Sequence, residues 1–424
     1  MISKFRIQNF RSIVDLTLDF GYGEGKAPNG YKDLDTLPFL TAPNNERLVP
    51  CMAFFGANAS GKSNIIKAFL MMQILVSGQR LKESFDNNTS IYNFTMDKQL
   101  EPFFDPNITN PQNNGTSFEI EFFHENIHVH YTITLTNEAI LVEKLVVDGE
   151  DIFTIEGMKE NFTTIQSETY PISKLKEIFH VEASDGRGHQ IRSFLSCLGT
   201  RYKGLNTNLT KAYEYFADKI IFIQNTRDFP LETAVKTLSQ TTNGDKQRAL
   251  AIIVEIIRRL DIDIEDIQII ASAIYSFHKT ISGEIIMCDF KKMESAGTIR
   301  LASLVGLLLC AIKTGQVIFV DEMDNSLHPF IVMELLKLFK EKHYNTKNAQ
   351  LIFTTHATDI LEDGIMRVSE IAFVRKNIKY GTMVERLVDF KQENGGVKRD
   401  VRNVTNFRKQ YLQDYYSGIP YPAL

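Results

Sequence analysis

Residues 56–63 constrain the fold most, because their sequence, Gly-Ala-Asn-Ala-Ser-Gly-Lys-Ser, matches the phosphate-binding pattern Gly-x-x-x-x-Gly-Lys-Ser/Thr. An apolar run, Met52–Phe55, precedes this loop, and a helical pattern follows it from Ser63 to about Val76. Glycines let backbone N–H groups turn toward phosphate oxygens, and the following helix points its positive end at the same anion. A chance glycine turn is the alternative, and the flanking strand and helix make it the weaker one.

The polar side chains of the loop suit a nucleoside triphosphate. Lys62 would bring a positive charge to the β- and γ-phosphates, and the Ser63 hydroxyl would be a ligand of Mg²⁺. We therefore predict a nucleotide site formed by Gly56, Ala57, Asn58, Ala59, Ser60, Gly61, Lys62, Ser63 and Asn64.

Two further strand ends carry side chains suited to metal binding and proton transfer. The apolar run Val317–Val320 ends in Asp321 and Glu322, where Asp321 would hold Mg²⁺ and Glu322 would accept a proton from an attacking water. His356 follows the apolar strand Leu-Ile-Phe-Thr-Thr and would contact the γ-phosphate and that water. An ordinary acidic turn and a strand-end histidine bonded to nearby loops are the alternatives. The presence of all three features in one chain favours the functional interpretation.

The rest of the chain predicts an α/β fold. Strands are expected at the N-terminus, in an antiparallel meander over 118–147, at Ile220–Ile223 and at two places between 267 and 289. Helices are expected over much of 172–218, over 245–260 and from 298 to Lys313. We divide the chain into an N-terminal half of the head (1–95), a meander with a helical insertion (96–220) and a C-terminal half (221–424).

The order of the motifs resembles the ABC-type ATPase heads of the SMC and RecF kind. These motifs are the phosphate loop, Glu294-Ser-x-Gly-Thr298, Asp321-Glu-x-Asp followed by Ser-Leu-His-Pro329, and Thr-Thr-His356. More narrowly, the chain resembles stand-alone ATPases of bacterial abortive-infection and phage-defence operons, including RloA-like proteins and the ATPase part of OLD-type nucleases. Phe5–Ser12, Phe-Arg-Ile-Gln-Asn-Phe-Arg-Ser, matches the first strand of such heads. The resemblance covers residues 1–76 and about 220–424, and more weakly the meander.

The resemblance implies a P-loop ATPase head with a mixed or parallel sheet flanked by helices, an antiparallel meander and a mainly helical insertion. It also implies ATP and Mg²⁺ as cofactors and a head-to-head dimer. In that dimer Ser295, Ala296 and Gly297 would contact the γ-phosphate of ATP bound to the other subunit, and Asn325, Ser326 and His328 would lie between the subunits. A plain helix cap at Ser295 is the alternative. Gln99 and Gln224 are both candidates for the family's Q-loop glutamine.

Three functions from different classes are consistent with these features. The first is a dimeric ATP switch that regulates an anti-phage system and controls a separate effector, such as a nuclease or toxin. The second is a RecF-like DNA-binding repair ATPase, and the third is a regulatory module that holds ATP with negligible turnover. Too little chain follows His356 for the nuclease domain of OLD-type proteins.

Composition sets the remaining limits. The net charge of −5 excludes a protein that is basic throughout but leaves room for a local DNA-binding groove. Four scattered cysteines and an alternating rather than signal-like N-terminus predict a cytoplasmic protein without membrane contact. His124, His128 and His130 offer a possible metal site, although a solvated strand face is favoured. The basic, aromatic-rich tail 398–416 either binds nucleic acid or, as we favour, forms an amphipathic helix packed on the head.

Overall fold

The computed structural model describes most of the chain at the level of individual residues. The described ranges are 1–22, 39–78, 105–107, 115–162, 164–165, 170–186, 188–202, 205–223, 231–260, 264–271, 273–361, 365–377, 381–389, 391–394, 397–400 and 407–413. Gln99 and Gln224 lie outside them, so neither is placed by the structure.

The described residues form twenty strands, and most of them, from both halves of the chain, belong to one large sheet. The strands are β1 Ile2–Phe10, β2 Ile13–Asp19, β3 Leu40–Thr41, β4 Arg47–Leu48, β5 Cys51–Phe55, β6 Thr116–His124, β7 Ile127–Leu135, β8 Ile140–Val147, β9 Glu150–Glu156, β10 Lys159–Asn161, β11 Ile220–Ile223, β12 Asp266–Ile270, β13 Ala273–Lys279, β14 Ile285–Asp289, β15 Val317–Val320, β16 Gln350–Thr355, β17 Ile371–Asn377, β18 Gly381–Arg386, β19 Lys391–Asn394 and β20 Val397–Asp400. Within the described ranges, thirteen of them pair in the order β10-β9-β8-β7-β6-β1-β2-β18-β17-β5-β16-β15-β11.

The sheet has a parallel part and an antiparallel part. Strands β17, β5, β16, β15 and β11 are parallel neighbours, whereas β18, β2, β1 and the meander β6–β10 pair antiparallel. The parallel strands read as continuous apolar runs because both of their faces are buried. The predicted α/β architecture, a mixed sheet continued by a meander, is confirmed.

Helices cover both faces of the parallel part. The α-helices of the described residues are α1 Lys62–Ser77, α2 Ile172–Ile178, α3 Phe194–Arg201, α4 Thr207–Asp218, α5 Leu231–Ser239, α6 Lys246–Leu260, α7 Phe290–Met293, α8 Ala296–Thr314, α9 Pro329–Lys340 and α10 Phe407–Leu412. Side chains of β5 alternate between the two cores, with Met52 and Phe54 packed among α1, α3 and α4. Cys51, Ala53 and Phe55 pack on the other face among α5, α6, α8 and α9.

Two local predictions are wrong in detail. Strand β13 was not expected; it pairs with both β12 and β14 in a separate three-stranded sheet, and this pairing buries the polar residue Ser276 completely. The expected helix over 398–416 is absent at 398–400, which belong to β20 in a hairpin with β19. Cross-strand pairing overrides the local helical pattern at 398–400, and among the described residues that follow, a short helix spans Phe407–Leu412.

Helix α8 is long and apolar enough to cross a membrane by length and composition alone. However, 78% of its apolar window is buried inside the protein, between the sheet and helices α5, α6 and α9. A buried core helix passes the same test of hydropathy.

A buried carboxylate joins the meander to the helical insertion. Glu143 of β8 accepts hydrogen bonds from the hydroxyls of Tyr131 (2.8 Å) and Ser193 (2.9 Å), and from the Gln190 amide. It also accepts from the N–H groups of Phe194 (2.7 Å) and Leu195 (3.0 Å) at the start of α3. Burial raises the pKa of Glu143, and the two backbone donors oppose that rise.

We expect Glu143→Ala to lower the free energy of unfolding by about 3 kcal/mol, because five buried donors lose their acceptor. Urea denaturation followed by circular dichroism would measure this. Glu138→Ala, at an exposed position before β8, is the matched control. Equal stability of the two variants would contradict the structural role of Glu143.

Candidate functional site

Three loops meet at one end of the sheet because the strands before them are parallel neighbours. β16 lies between β5 and β15, so His356 lies between the phosphate loop on one side and Asp321 on the other. Open α/β sheets bind their ligands at the carboxyl ends of their strands. The three constellations predicted from sequence therefore share one edge.

Neighbouring strands require both glycines of the phosphate loop. A Cβ atom at Gly56 would lie 2.3 Å from the carbonyl oxygen of Val374 in β17. Gly61 has a φ of 108°, and a Cβ atom there would lie 2.1 Å from the Thr382 hydroxyl in β18. Ala59 also has positive φ, at 60°. The loop is thus shaped by close backbone approach as well as by its own sequence.

The hydroxyl groups of Ser12 and Thr382 hydrogen-bond to the phosphate loop and to the start of α1. Thr382 Oγ1 lies 2.6 Å from the Ser12 hydroxyl, which also accepts a hydrogen bond from the Asn64 amide at 2.7 Å. Thr382 Oγ1 contacts the Ser60 carbonyl oxygen at 3.3 Å. The turn between β1 and β2 therefore fixes the start of α1 and the phosphate loop together.

Lys62 lies at the centre of this edge and is only 6% exposed. Its ammonium group donates hydrogen bonds to the carbonyl oxygens of Gly56 (2.8 Å) and Ala57 (2.9 Å). Burial lowers the pKa of Lys62, and nearby carboxylates partly oppose this change. These carboxylates belong to Asp321, Glu322 and Asp324.

A threonine organises the acidic pair. Thr354 is fully buried; its hydroxyl donates to Asp321 Oδ1 at 2.6 Å and accepts from the Glu322 N–H at 2.7 Å. Glu322 has a φ of 50°, a conformation that non-glycine residues rarely adopt. Its carbonyl oxygen accepts a hydrogen bond from Arg300 of α8 at 2.7 Å. Contacts on both sides thus hold Glu322 in this conformation, with its side chain toward solvent.

His356 is tied to the same loop through its backbone. Its N–H donates to both oxygens of Asp324 at 3.2 Å. Burial and the positive charge of Lys62 lower the pKa of His356, although the acidic residues 321, 322 and 324 act in the opposite direction. The imidazole is therefore mainly neutral at pH 7.

The segment Ser295–Gly297 lies at the start of α8. Ser295 caps this helix, since its hydroxyl accepts from the Thr298 N–H at 3.1 Å. Ser295 and Ala296 are exposed. A Cβ atom at Gly297 would lie 2.8 Å from the Ser326 carbonyl oxygen, so the segment packs closely on the loop after Glu322. The contact expected for a plain helix cap is therefore present, and the exposed Ser295 and Ala296 are also accessible to a partner.

The structure thus groups the predicted residues into two sets within one chain. Lys62, Asp321, Glu322 and His356 share the sheet edge, whereas Ser295–Gly297 contact residues 298 and 326. His328, which was expected between subunits, caps α9 by accepting from the Phe330 N–H at 3.2 Å.

Sequence reasoning assigned no role to several residues that shape the site. They are Ser12, Arg300, Asp324, Thr354 and Thr382. Asp324 and Thr354 lie within the motifs named above, so their closeness in sequence to Asp321 and His356 could have identified them. Thr382 carries no motif, and only strand pairing brings it to the loop.

The histidine cluster divides between the two faces of the meander. His124 lies near Tyr215, and burial lowers its pKa to about 4. His130 bonds Glu119 at 2.8 Å, and His128 lies 3.7 Å from Glu121. Arg6 and Lys4 lie within 4.0 Å of the same two carboxylates. On this half-exposed face the two carboxylates are therefore paired with basic side chains of neighbouring strands.

The described part of the tail packs on the head. Arg408 pairs with Asp359 at 2.9 Å, and the buried ring of Tyr411 stacks on Phe373 with centroids 5.2 Å apart. These contacts agree with a packing role for α10.

Comparisons with known proteins identify one matching family model. It is described as "AAA domain, putative AbiEii toxin, Type IV TA system" and matches residues 51–362. None of the curated proteins compared matches the chain.

Solved structures similar to this chain include three SMC heads. The SMC head domain from Thermotoga maritima is 15% identical, covers 91% of this chain and 98% of its own, and has a TM-score of 0.41. An SmcHead bound to the C-winged helix domain of ScpA is 15% identical, covers 91% and 97%, and has a TM-score of 0.45. An Smc head with an extended coiled coil, bound to the C-terminal domain of ScpA derived from Pyrococcus furiosus, is 12% identical, covers 98% and 99%, and has a TM-score of 0.40.

We expect Gly61→Ala to lower the free energy of unfolding by about 2 kcal/mol, through positive φ and the contact with Thr382. Thermal denaturation would measure it. The double variant Gly61→Ala/Thr382→Ala should lose less stability than the sum of the two single variants, because the closest clashing atoms are gone. Strict additivity would contradict the close approach.

Proposed function

This chain belongs to the AAA-domain family whose model it matches, and on that premise we propose that it binds ATP with Mg²⁺ and hydrolyses the nucleotide. One observation carries the proposal. A buried lysine ammonium, the end of a glycine loop and a carboxylate pair lie at one sheet edge, where the carboxylates raise the pKa of Lys62 against the effect of its burial. A buried lysine ammonium is costly unless hydrogen bonds and nearby anions offset its desolvation. A lysine kept in such a place is a candidate ligand for an anion.

The residues present fit a magnesium ion and a polyphosphate. Ser63 at the start of α1 and Asp321 at the end of β15 offer the hard oxygen donors that Mg²⁺ takes. The glycines let the loop backbone curl tightly before α1, and the N-terminus of α1 lies at the end of the loop, where backbone N–H groups suit phosphate oxygens. Bound Mg²⁺ would neutralise charge that develops on the phosphate oxygens.

Glu322 is the base in this proposal. Its carboxylate is exposed at the edge, so it can reach a water in line with the terminal phosphate. Thr354 and Arg300 hydrogen-bond to the N–H and the carbonyl oxygen of Glu322, respectively. These bonds orient the side chain of Glu322 without using its carboxylate oxygens. His356, being mainly neutral, can accept or donate one hydrogen bond to the same water or phosphate.

The exposed start of α8 would complete a second chain's site. Ser295 and Ala296 face solvent, and Gly297 leaves a backbone N–H near a helix N-terminus, which suits an anion. We propose that two chains associate head to head, with ATP between the loop of one chain and residues 295–297 of the other. ATP then closes the dimer and hydrolysis opens it.

We further propose that this switch regulates an anti-phage system of the abortive-infection type and controls a separate effector protein. The description of the family names a putative AbiEii toxin and a type IV TA system, which supports a role in such a system. The separate effector is part of the proposal alone.

We expect Lys62→Ala to weaken ATP binding about 100-fold, because a charged hydrogen-bonding group facing the phosphates is lost. Fluorescent ATP titration would measure this affinity. Lys67→Ala, one turn further along α1, is the control and should bind normally. Unchanged affinity in Lys62→Ala would refute the phosphate-loop assignment.

We expect Glu322→Gln to bind ATP normally but to lower turnover at least about 100-fold, because the proton acceptor is lost. It should accumulate as an ATP-bound dimer, measured by light scattering with and without ATP–Mg²⁺. Glu334→Gln on α9 is the control. Hydrolysis by Glu322→Gln at the wild-type rate would show that Glu322 is not the base.

A further inference from the structure

Glu294, which immediately precedes the exposed segment 295–297, is anchored to the separate three-stranded sheet. One oxygen, Oε1, accepts from the Ser276 hydroxyl at 2.5 Å and from His278 Nε2 at 2.7 Å. A carboxylate cannot donate, so Nε2 of His278 carries the proton. The Glu294 side chain is 8% exposed, and Ser276 is fully buried.

The position of Glu294 in the chain makes this anchor important. Helix α7 ends at Met293 and α8 begins at Ala296, so only Glu294 and Ser295 connect them. Two contacts thus hold the segment 295–297. One is the hydrogen bonding of the Glu294 carboxylate just before it, and the other is the close approach of Gly297, its last residue, to Ser326. The first contact joins it to β13, and the second joins it to the loop that carries Glu322.

We propose that Glu294 is a positioning residue for the neighbouring subunit's ATP site, acting through Ser276 and His278 of β13. This inference rests on the dimer proposed above. The two hydrogen bonds fix the distance of Ser295–Gly297 from β13, and so the place at which these residues meet the partner's phosphates. Misplacement by about 1 Å can cost up to 100-fold in rate. The strand β13 thereby gains control over hydrolysis in the other chain.

The first experiment compares substitutions at Glu294. Glu294→Ala should bind ATP as tightly as wild type, because its own phosphate loop is intact, but should lose turnover about tenfold or more. Glu294→Gln keeps an acceptor oxygen for both donors and should restore most of the turnover. Ser276→Ala should weaken turnover in the same direction, and combined with Glu294→Ala it should add little.

Glu284→Ala, on the exposed turn of the same sheet, is the matched control and should behave as wild type. Wild-type turnover in Glu294→Ala would overturn the inference. Equal losses in the Ala and Gln variants would also overturn it, since they would implicate charge rather than the hydrogen-bond anchor.

Mixing subunits separates a positioning role from a general loss of structure. Glu294→Ala supplies an intact phosphate loop and Lys62→Ala supplies an intact segment 295–297, so a mixed dimer contains one complete composite site. An equal mixture should recover up to about a quarter of wild-type turnover by random pairing of subunits. A mixture of Glu294→Ala with Ser295→Arg should recover none. The inference is overturned if Lys62→Ala restores turnover when it is mixed with Ser295→Arg but not when it is mixed with Glu294→Ala.

The same assays distinguish the two proposals. If Ser295→Arg blocks dimer closure and turnover while Glu294→Ala leaves both intact, only the anchoring role fails. If wild type does not dimerise with ATP and Ser295→Arg hydrolyses normally, the shared site fails, and the anchoring role fails with it.

Discussion

The burial of one lysine at the end of a parallel sheet determines how the rest of the edge is built. Lys62 is nearly inaccessible to solvent, and its ammonium bonds to carbonyl oxygens of its own loop. Desolvation disfavours the charged form, and three carboxylates from the loop after β15, two strands away, offset part of that cost. The lysine and the acidic pair must therefore lie at the same edge, which the parallel order β5-β16-β15 ensures.

Rigid support around this charge comes from residues to which the sequence assigned no role. β17 and β18 approach Gly56 and Gly61 so closely that no side chain fits. Thr354 links Asp321 to Glu322 from the middle strand, and Arg300 secures Glu322 from α8. Three non-glycine residues with positive φ, Ala59, Glu322 and Ser326, lie in this region, and such strain persists only where several contacts determine the backbone.

Contacts also connect the site to distant parts of the chain. Helix α8 touches the Glu322 loop through Arg300 and Gly297, and its start is tied to β13 through Glu294. A shift of the three-stranded sheet would therefore reach both the exposed segment and the backbone of Glu322. Coupling of this kind requires discrete contacts, and each one here joins named atoms.

Sequence motifs alone were enough to predict the chemistry of the sheet edge. Gly56–Ser63 between a strand and a helix, Asp321-Glu322 after an apolar run, and His356 after another were each recognisable because they depend on neighbours in the chain. The α/β class followed from the same pattern of runs, and the mixed or parallel sheet followed from the family resemblance. Tertiary structure alone decided that Thr382 and Ser12 support the loop, that Ser276 and His278 hold Glu294, and that β20 replaces a helical stretch. Strand pairing and burial join residues that are far apart in sequence, and no local pattern encodes which distant partner a strand or a buried hydroxyl will find.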